Sequence, residues 1–407
     1  MELTVQRLTL QGDGVARGTD GPVYVPMALP GEVVTGEISE GRIAAPKILT
    51  PSADRVRPPC PHYRSCGGCQ LQHGSDAFVA GWKQTAVRQA LHAQGIEAEI
   101  RGIDTSPLHS RRRAVFSGRR TKKGVLLGFH ARGSDTVVEV PGCLILRPEL
   151  MSVMPALREA TQLGNSRKGE MSFTVTLSEA GPDVSCKGGK EADADLIQAL
   201  VKLATRTDLA GLSYNGETVA QRRPATQRFG AARVTPPSGA FLQATAEGEA
   251  ALLTLVREAV SGAGRIADLF AGSGTFALPL ASEAEVHAVE GETAMIAALD
   301  AAWRGTPGLK RLSSEVRDLF RRPLLPDELA RFDAVVIDPP RAGAAAQVAE
   351  LAQSQVPVIA HVSCNPVTFA RDARALIAGG YRLDWVQVVD QFRWSVHVEL
   401  MARFSRG

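Results

Sequence analysis

The chain has 407 residues, of which 44% are hydrophobic and 22% charged, with a formal net charge of +3. That length allows two or three domains with their own cores, and the composition is that of an ordinary soluble globular protein. So small a net charge does not by itself imply nucleic acid, and no apolar run approaches the ~18 residues of a membrane span, so no membrane is expected.

Residues 1–52 read as short strands broken by glycine and proline: ELTVQRLTL, QGDGVAR and PVYVPMALPGEVVTGEI. Such spacing predicts a small β-barrel of the OB type. The opening MELTVQRLTL lacks the cationic start and apolar core of a signal peptide, so a cytoplasmic location is the default. PSADRVRPPC follows as a linker. CPHYRSCGGCQ then places Cys60, Cys66 and Cys69 within ten residues. In a reducing compartment such crowding reads as metal rather than disulfide. Cys143, in PGCLI, offers a fourth thiol. Zinc usually draws on two CxxC-like pairs, whereas one pair plus two singles suits an iron–sulfur cluster at least as well. Cys186 has no motif around it and reads as an ordinary thiol.

SDAFVAGWKQTAVRQALHAQG has the apolar spacing and closing glycine of a helix over 75–95, placed to pack on the last domain. Between Asp104 and Asp135 there is no acidic residue, yet Arg111, Arg112, Arg113, Arg119, Arg120, Lys122, Lys123 and Arg132 fall there. The block could bind phosphates by counterion release, or be a solvated basic hairpin. The remainder of 53–240 is mixed and mostly β, with one helix at EADADLIQALVKLA.

From 241 to 407 the texture changes to α/β. Candidate strands RIADLF, VHAVE, RLSSEV, DAVVID, VIAHVS, RLDWVQVVD and HVELMARF alternate with helical stretches, which predicts a doubly wound, mostly parallel sheet. The last two strands leave no room for a helix, so they form a hairpin and one strand is reversed. DLFAGSGTFALPLA joins strand to helix through Gly272-Ser273-Gly274, with Asp268 at the strand's end and Glu290 closing the next strand. A carboxylate there commonly accepts ribose hydroxyls, and the missing third glycine favours a nucleoside cofactor without a diphosphate. DPPRAG sets Asp338 at the same sheet edge. Cys364 ends the fifth strand beside it, and DQFRWSVHVE returns His397 and Glu399 toward the sheet. A thiol with a carboxylate in one cleft suits addition of sulfur to an unsaturated ring and later proton removal.

In combination these motifs resemble the RNA uracil-C5 methyltransferase family over nearly the whole chain. Residues 1–52 look like its TRAM domain, an RNA-binding barrel. CPHYRSCGGCQLQH looks like its iron–sulfur segment, with Cys143 matching the fourth ligand. FLQATAEG, DLFAGSGTF, VIDPPRAG, SCNPVTFARD and QFRWSVHVE match its catalytic motifs in order. The resemblance implies a class I methyltransferase, Rossmann-like sheet with S-adenosyl-L-methionine as methyl donor, and a [4Fe-4S] cluster on Cys60, Cys66, Cys69 and Cys143. It assigns Gln243, Asp268, Phe270, Gly272, Gly274, Glu290 and Asp338 to the donor pocket or its border. Cys364 corresponds to the nucleophile that adds to uracil, Glu399 to the base, and Asp338 to a group positioning the ring. The implied partner is RNA, 23S ribosomal RNA ahead of uracil-54 of tRNA, and a monomer is expected. Arg393, Trp394, the Ala-Thr after Gln243, and Asp300 depart from the family pattern without removing a chemical group. The competing readings are a radical S-adenosylmethionine enzyme, disfavoured by the five residues between Cys60 and Cys66, and a non-catalytic iron–sulfur RNA-binding protein.

Overall fold

The computed structural model describes residues 1–407. Its first element is a five-stranded antiparallel sheet in the order Pro22–Val25, Gly14–Arg17, Glu2–Leu8, Val33–Thr35, Lys47–Thr50. Alternate residues Leu3, Val5, Val23, Val25 and Val34 bury one face around Ala16, Ala28 and Ile43, as a period of two requires. The expected barrel does not close: the two edge strands, Pro22–Val25 and Lys47–Thr50, do not pair with each other. Instead residues 41–43 run along the open edge, where Tyr24 N–H donates to Gly41 O at 2.8 Å and Ile43 N–H to Tyr24 O at 3.0 Å. A loop thus satisfies the edge groups that ladder closure would have satisfied.

The central part is a seven-stranded sheet containing Arg113–Thr121, Gly124–His130, Met171–Ser178 and Gly181–Lys187, with helices Met154–Gly164 and Ala194–Arg206 on one face. Cys186 lies in that core, fully buried, as an ordinary apolar thiol. The basic segment leading into this sheet turns largely inward. Arg112 donates to Gln243 O and pairs with Glu249, Arg113 donates to the carbonyls of Ala240 and Gly239, and Arg111 donates to Arg113 O and lies over the Phe392 ring. These three arginines therefore hold the central sheet to residues 239–249 and to Phe392. At the hairpin tip, Lys122 and Lys123 remain exposed.

The third part is an eight-stranded sheet in the order Leu312–Val316, Glu285–Glu290, Arg265–Leu269, Ala334–Ile337, Val358–Ser363, Glu399–Ser405, Arg382–Asp390, Ile100–Thr105. Glu399–Ser405 alone runs opposite to its neighbours, as the short 391–398 connection demands. Ala334–Ile337 is buried along its whole length, the signature of a parallel strand covered on both faces. Strand Ile100–Thr105 comes from outside the 241–407 segment and pairs in parallel with Arg382–Asp390, covering what would have been a free edge. Helix Asp76–His92 also packs here, against helix Pro366–Ala378. Ser75 caps it by accepting the Phe78 N–H, and Val87 and Leu91 enter the core under the sheet.

Candidate active site

Strand Arg265–Leu269 ends in a loop whose backbone is left-handed at Phe270, Gly272 and Gly274. At Gly274 a Cβ would come within 2.8 Å of Leu278 and 3.1 Å of Leu299, so both φ and space require glycine there. Phe270 holds φ +60 at a strain of order 1–3 kcal/mol. The Glu290 carboxylate braces this loop: Oε2 accepts Gly272 N–H at 3.0 Å, and Oε1 accepts the N–H groups of Gly291 and Glu292 at 2.7 and 3.0 Å. Phe320, exposed, stands 5.3 Å from Phe270 between ring centroids. Asp268 is wholly buried, and neither carboxylate oxygen has a hydrogen-bond partner. Burial first, then the Asp338 charge, raises its pKa well above the usual carboxylate range, and the nearby Ala277 amide gives only partial relief.

Asp338 follows the next strand and is joined to Glu399 through two glutamines. Gln243 Nε2 donates to Asp338 Oδ2 at 3.3 Å. Gln391 Nε2 donates to Gln243 Oε1 at 2.6 Å and to Glu399 Oε2 at 3.0 Å. Both carboxyls are pushed upward by desolvation, and the charge of Asp338 adds to the shift of Glu399. Cys364 sits between strand Val358–Ser363 and helix Pro366–Ala378, one residue before the Asn365 cap. Asn365 Nδ2 and Thr368 Oγ1 both donate to Arg341 O, which ties the Cys364 turn to the DPPRAG loop. Burial, then the charges of Glu399 and Asp338, push the Cys364 thiol up to about 11, while Arg341 opposes them. Asp268, Asp338, Cys364, Glu399 and Gln243 thus gather at one sheet edge, where chains of electrostatic influence and hydrogen bonds link them.

A tRNA (Uracil-5-)-methyltransferase family model matches residues 193–405. Over its full length the chain is 43% identical to an RNA methyltransferase of Brucella suis biovar 1 (strain 1330), of which it covers 98%. It is 31% identical to the 23S rRNA (uracil(1939)-C(5))-methyltransferase RlmD of Nitrosococcus oceani, over 99% of this chain and 95% of that one. The chain belongs to the RNA uracil-C5 methyltransferase family. It is an S-adenosylmethionine-dependent enzyme acting on RNA. The solved structure of the Pyrococcus abyssi tRNA (uracil-54, C5)-methyltransferase in complex with S-adenosyl-L-homocysteine shares the class I fold, with a TM-score of 0.76 over 99% of this chain and 100% of that one at 23% identity. No helix of the methyltransferase is long and apolar enough to cross a membrane.

The methyltransferase holds Cys60, Cys66, Cys69 and Cys143 around one cavity of about 280 Å³, walled also by Arg111, Phe392 and His397. All four thiols are free. Burial is the largest of the effects that push the Cys69 thiol up to about 12, and the charges of Cys143, Cys66 and Cys60 add to it. No group of three or more His, Cys, Asp or Glu side chains is arranged to hold a metal ion. His397, which the sequence places near Glu399, turns toward this cavity and packs edge-on against Phe392 at 5.6 Å. The two departures in the 391–398 connection have a structural use. Arg393 pairs with Asp76, Trp394 Nε1 donates to Asp76 Oδ1 at 3.0 Å, and Trp394 O accepts Gln70 and Leu71 N–H at 2.9 Å each. Sequence reading missed Gln391 and Phe320 as site residues. Gln391 lies inside the motif QFRWSVHVE, but nothing in its spacing announces that its side chain meets Glu399.

Proposed function

We propose that the methyltransferase forms 5-methyluridine through a covalent bond between Cys364 Sγ and carbon 6 of uracil. The single observation that carries this reading is the convergence of a thiol with the half-buried Asp338 carboxyl and the buried Glu399 carboxyl, at the edge where the glycine loop also ends. Carbon 5 of uracil is too weakly nucleophilic to take a methyl group unaided. Addition of the Cys364 thiolate to carbon 6 pushes electron density onto carbon 5. Bound S-adenosyl-L-methionine supplies an electrophilic methyl group on its sulfonium. Glu399 then removes the proton from carbon 5, the ring regains its double bond, and the carbon–sulfur bond breaks. Asp338 positions the ring, at the end of the Gln243–Gln391 chain.

The donor pocket in this reading comprises Gln243, Asp268, Phe270, Gly272, Gly274 and Glu290. Asp268, buried with both oxygens orphaned, fits an ammonium-bearing ligand that satisfies them. Phe320 beside Phe270 offers an aromatic wall for adenine. Glu399→Gln is expected to leave a covalent RNA–protein adduct on a denaturing gel, while Cys364→Ser leaves neither adduct nor product. Free turnover by either variant overturns the mechanism.

We further propose that Cys60, Cys66, Cys69 and Cys143 hold a [4Fe-4S] cluster with a structural or RNA-contacting role. Four free thiols lining one cavity, one CxxC pair and two singles, support this reading. Anaerobic purification should give protein with broad visible absorbance and about four irons per chain; a colourless zinc protein would exclude the cluster. The reading extends to 23S ribosomal RNA as substrate, supported by the likeness to RlmD along nearly the whole of both chains. Residues 1–52 serve as a TRAM grip on RNA, 53–240 as the cluster-bearing central part and 241–407 as the catalytic part, working as a cytoplasmic monomer. Loss of 5-methyluridine from 23S RNA in a deletion strain tests it, and loss from position 54 of tRNA instead would favour a tRNA enzyme.

A further inference from the structure

Gln391 is 2% exposed and spends every polar atom inside the site. Its Oε1 accepts Ala244 N–H at 2.8 Å. A backbone N–H can only donate, so this bond fixes which end of the amide carries the hydrogens. Nε2 must then face the two oxygens at its other side, Gln243 Oε1 and Glu399 Oε2. The same logic passes along the chain: Gln243 Oε1 is used as acceptor, so its own Nε2 points at Asp338 Oδ2. One backbone amide therefore orients two side-chain amides, and each presents an N–H to a carboxylate, Glu399 and Asp338 respectively.

The residue bearing this amide is itself pinned. Asp390 Oδ1 accepts Phe392 N–H at 3.0 Å and pairs with the wholly buried Lys83, whose remaining hydrogens go to the carbonyls of Phe392 and His397 at 3.0 and 2.9 Å. Main-chain play at 391 is small, so the Gln391 amide meets Glu399 at a set angle.

We propose that Gln391 is a positioning residue for proton removal from carbon 5: its N–H holds Glu399 Oε2 and leaves Oε1 to take the proton. This rests on the reading of Glu399 as the base. In the step it serves, Glu399 Oε1 accepts the carbon 5 proton, and the electron pair of that C–H bond becomes the 5,6 double bond. The bond from carbon 6 to Sγ breaks, and its pair returns to Cys364 as thiolate. A carboxylate buried beside a second one, Asp338, ionises reluctantly; a fixed donor favours its charged form and so keeps a base available at working pH. Adduct formation at Cys364 needs no such donor, so the two halves of the reaction respond differently to its loss.

Two variants separate this role from plain support of the fold. Gln391→Glu keeps the length and the oxygen that accepts Ala244 N–H, but exchanges the two amide hydrogens facing Gln243 and Glu399 for at most one hydroxyl hydrogen. Gln391→Met removes the acceptor as well. RNA bearing uridine tritiated at carbon 5 reports elimination as tritium release, and a denaturing gel reports adduct formation. Both variants are expected to form adduct within about threefold of the parent rate and to release tritium about tenfold more slowly. The acid limb of tritium release should move up by about one pH unit, the shift matching a tenfold loss of acidity at Glu399. Tritium release from Gln391→Met at the parent rate, or equal slowing of both steps with an unmoved acid limb, overturns the proposal and leaves Glu399 as base. Glu399→Gln run alongside tests the reading beneath it: failure of that variant to trap adduct would remove the base role, and this proposal with it.

Discussion

Asp268 is a buried carboxyl without a hydrogen-bond partner, near the charge of Asp338, and it is destabilising in the absence of ligand. A carboxyl whose native pKa lies above its unfolded value of about 3.9 binds its proton more tightly when folded. Its penalty is absent in acid, grows as pH rises past the unfolded value, and levels off above the native one. Asp268→Asn is therefore expected to melt higher than the parent at neutral and alkaline pH, with the gain vanishing toward pH about 4. Calorimetry across pH measures this, and titration with S-adenosyl-L-homocysteine should show that the same change weakens binding. Burial raises both Cys364 and Glu399, and each acts in its ionised form, so single-turnover product formation should climb from neutral into alkaline pH rather than peak in acid. The motifs marked Cys364, Asp338 and Glu399 as candidates; that burial pushes all three toward their neutral forms could not be read there, because burial belongs to the folded chain.

The connection 391–398 is the element on which the site turns. It carries Gln391 into the acid cluster, His397 and Phe392 to the cysteine cavity, and Trp394 to the cysteine loop. A Cβ added at Gly12 would come within 2.9 Å of Val396, so the first sheet also abuts it. Its anchor is Lys83 with Asp390, 0% and 2% exposed at the side chain and 2.5 Å apart. Removing one partner of such a pair strands the other charge. Lys83→Met should lower stability by about 3–5 kcal/mol in urea unfolding, and pairing it with Asp390→Leu should recover much of that loss. A Lys83→Met protein as stable as the parent would mean that the ammonium contributes no anchorage. Sequence periodicity found the helix, expected over 75–95 and observed at Asp76–His92, yet it could not mark Lys83 as buried: a lysine on a helix reads as solvent-facing until something across the fold meets it.

Across the whole molecule, three sheets converge on that connection, and the basic segment expected to grip RNA is partly consumed in holding them together. Arg111, Arg112 and Arg113 bond inward to carbonyls, Glu249 and the Phe392 ring, so their loss should lower stability more than it changes the salt dependence of RNA binding. Lys122 and Lys123 at the hairpin tip stay in solvent. Their replacement by alanine should reduce the slope of log affinity against log salt by about 0.7–0.9 for each phosphate that is no longer neutralised. Filter binding over a salt series reads both outcomes, and an unchanged slope in the lysine variant would place the RNA elsewhere. The α/β alternation, the reversed last strand, the glycine loop and the order of the catalytic motifs are all written in local pattern, because each depends on a short span of chain. Four outcomes emerge only on folding: the first sheet stays open, Ile100–Thr105 joins the catalytic sheet, three arginines face inward and Gln391 meets Glu399. They depend on which distant segment reaches an edge or a charge first, and local pattern carries no information about that.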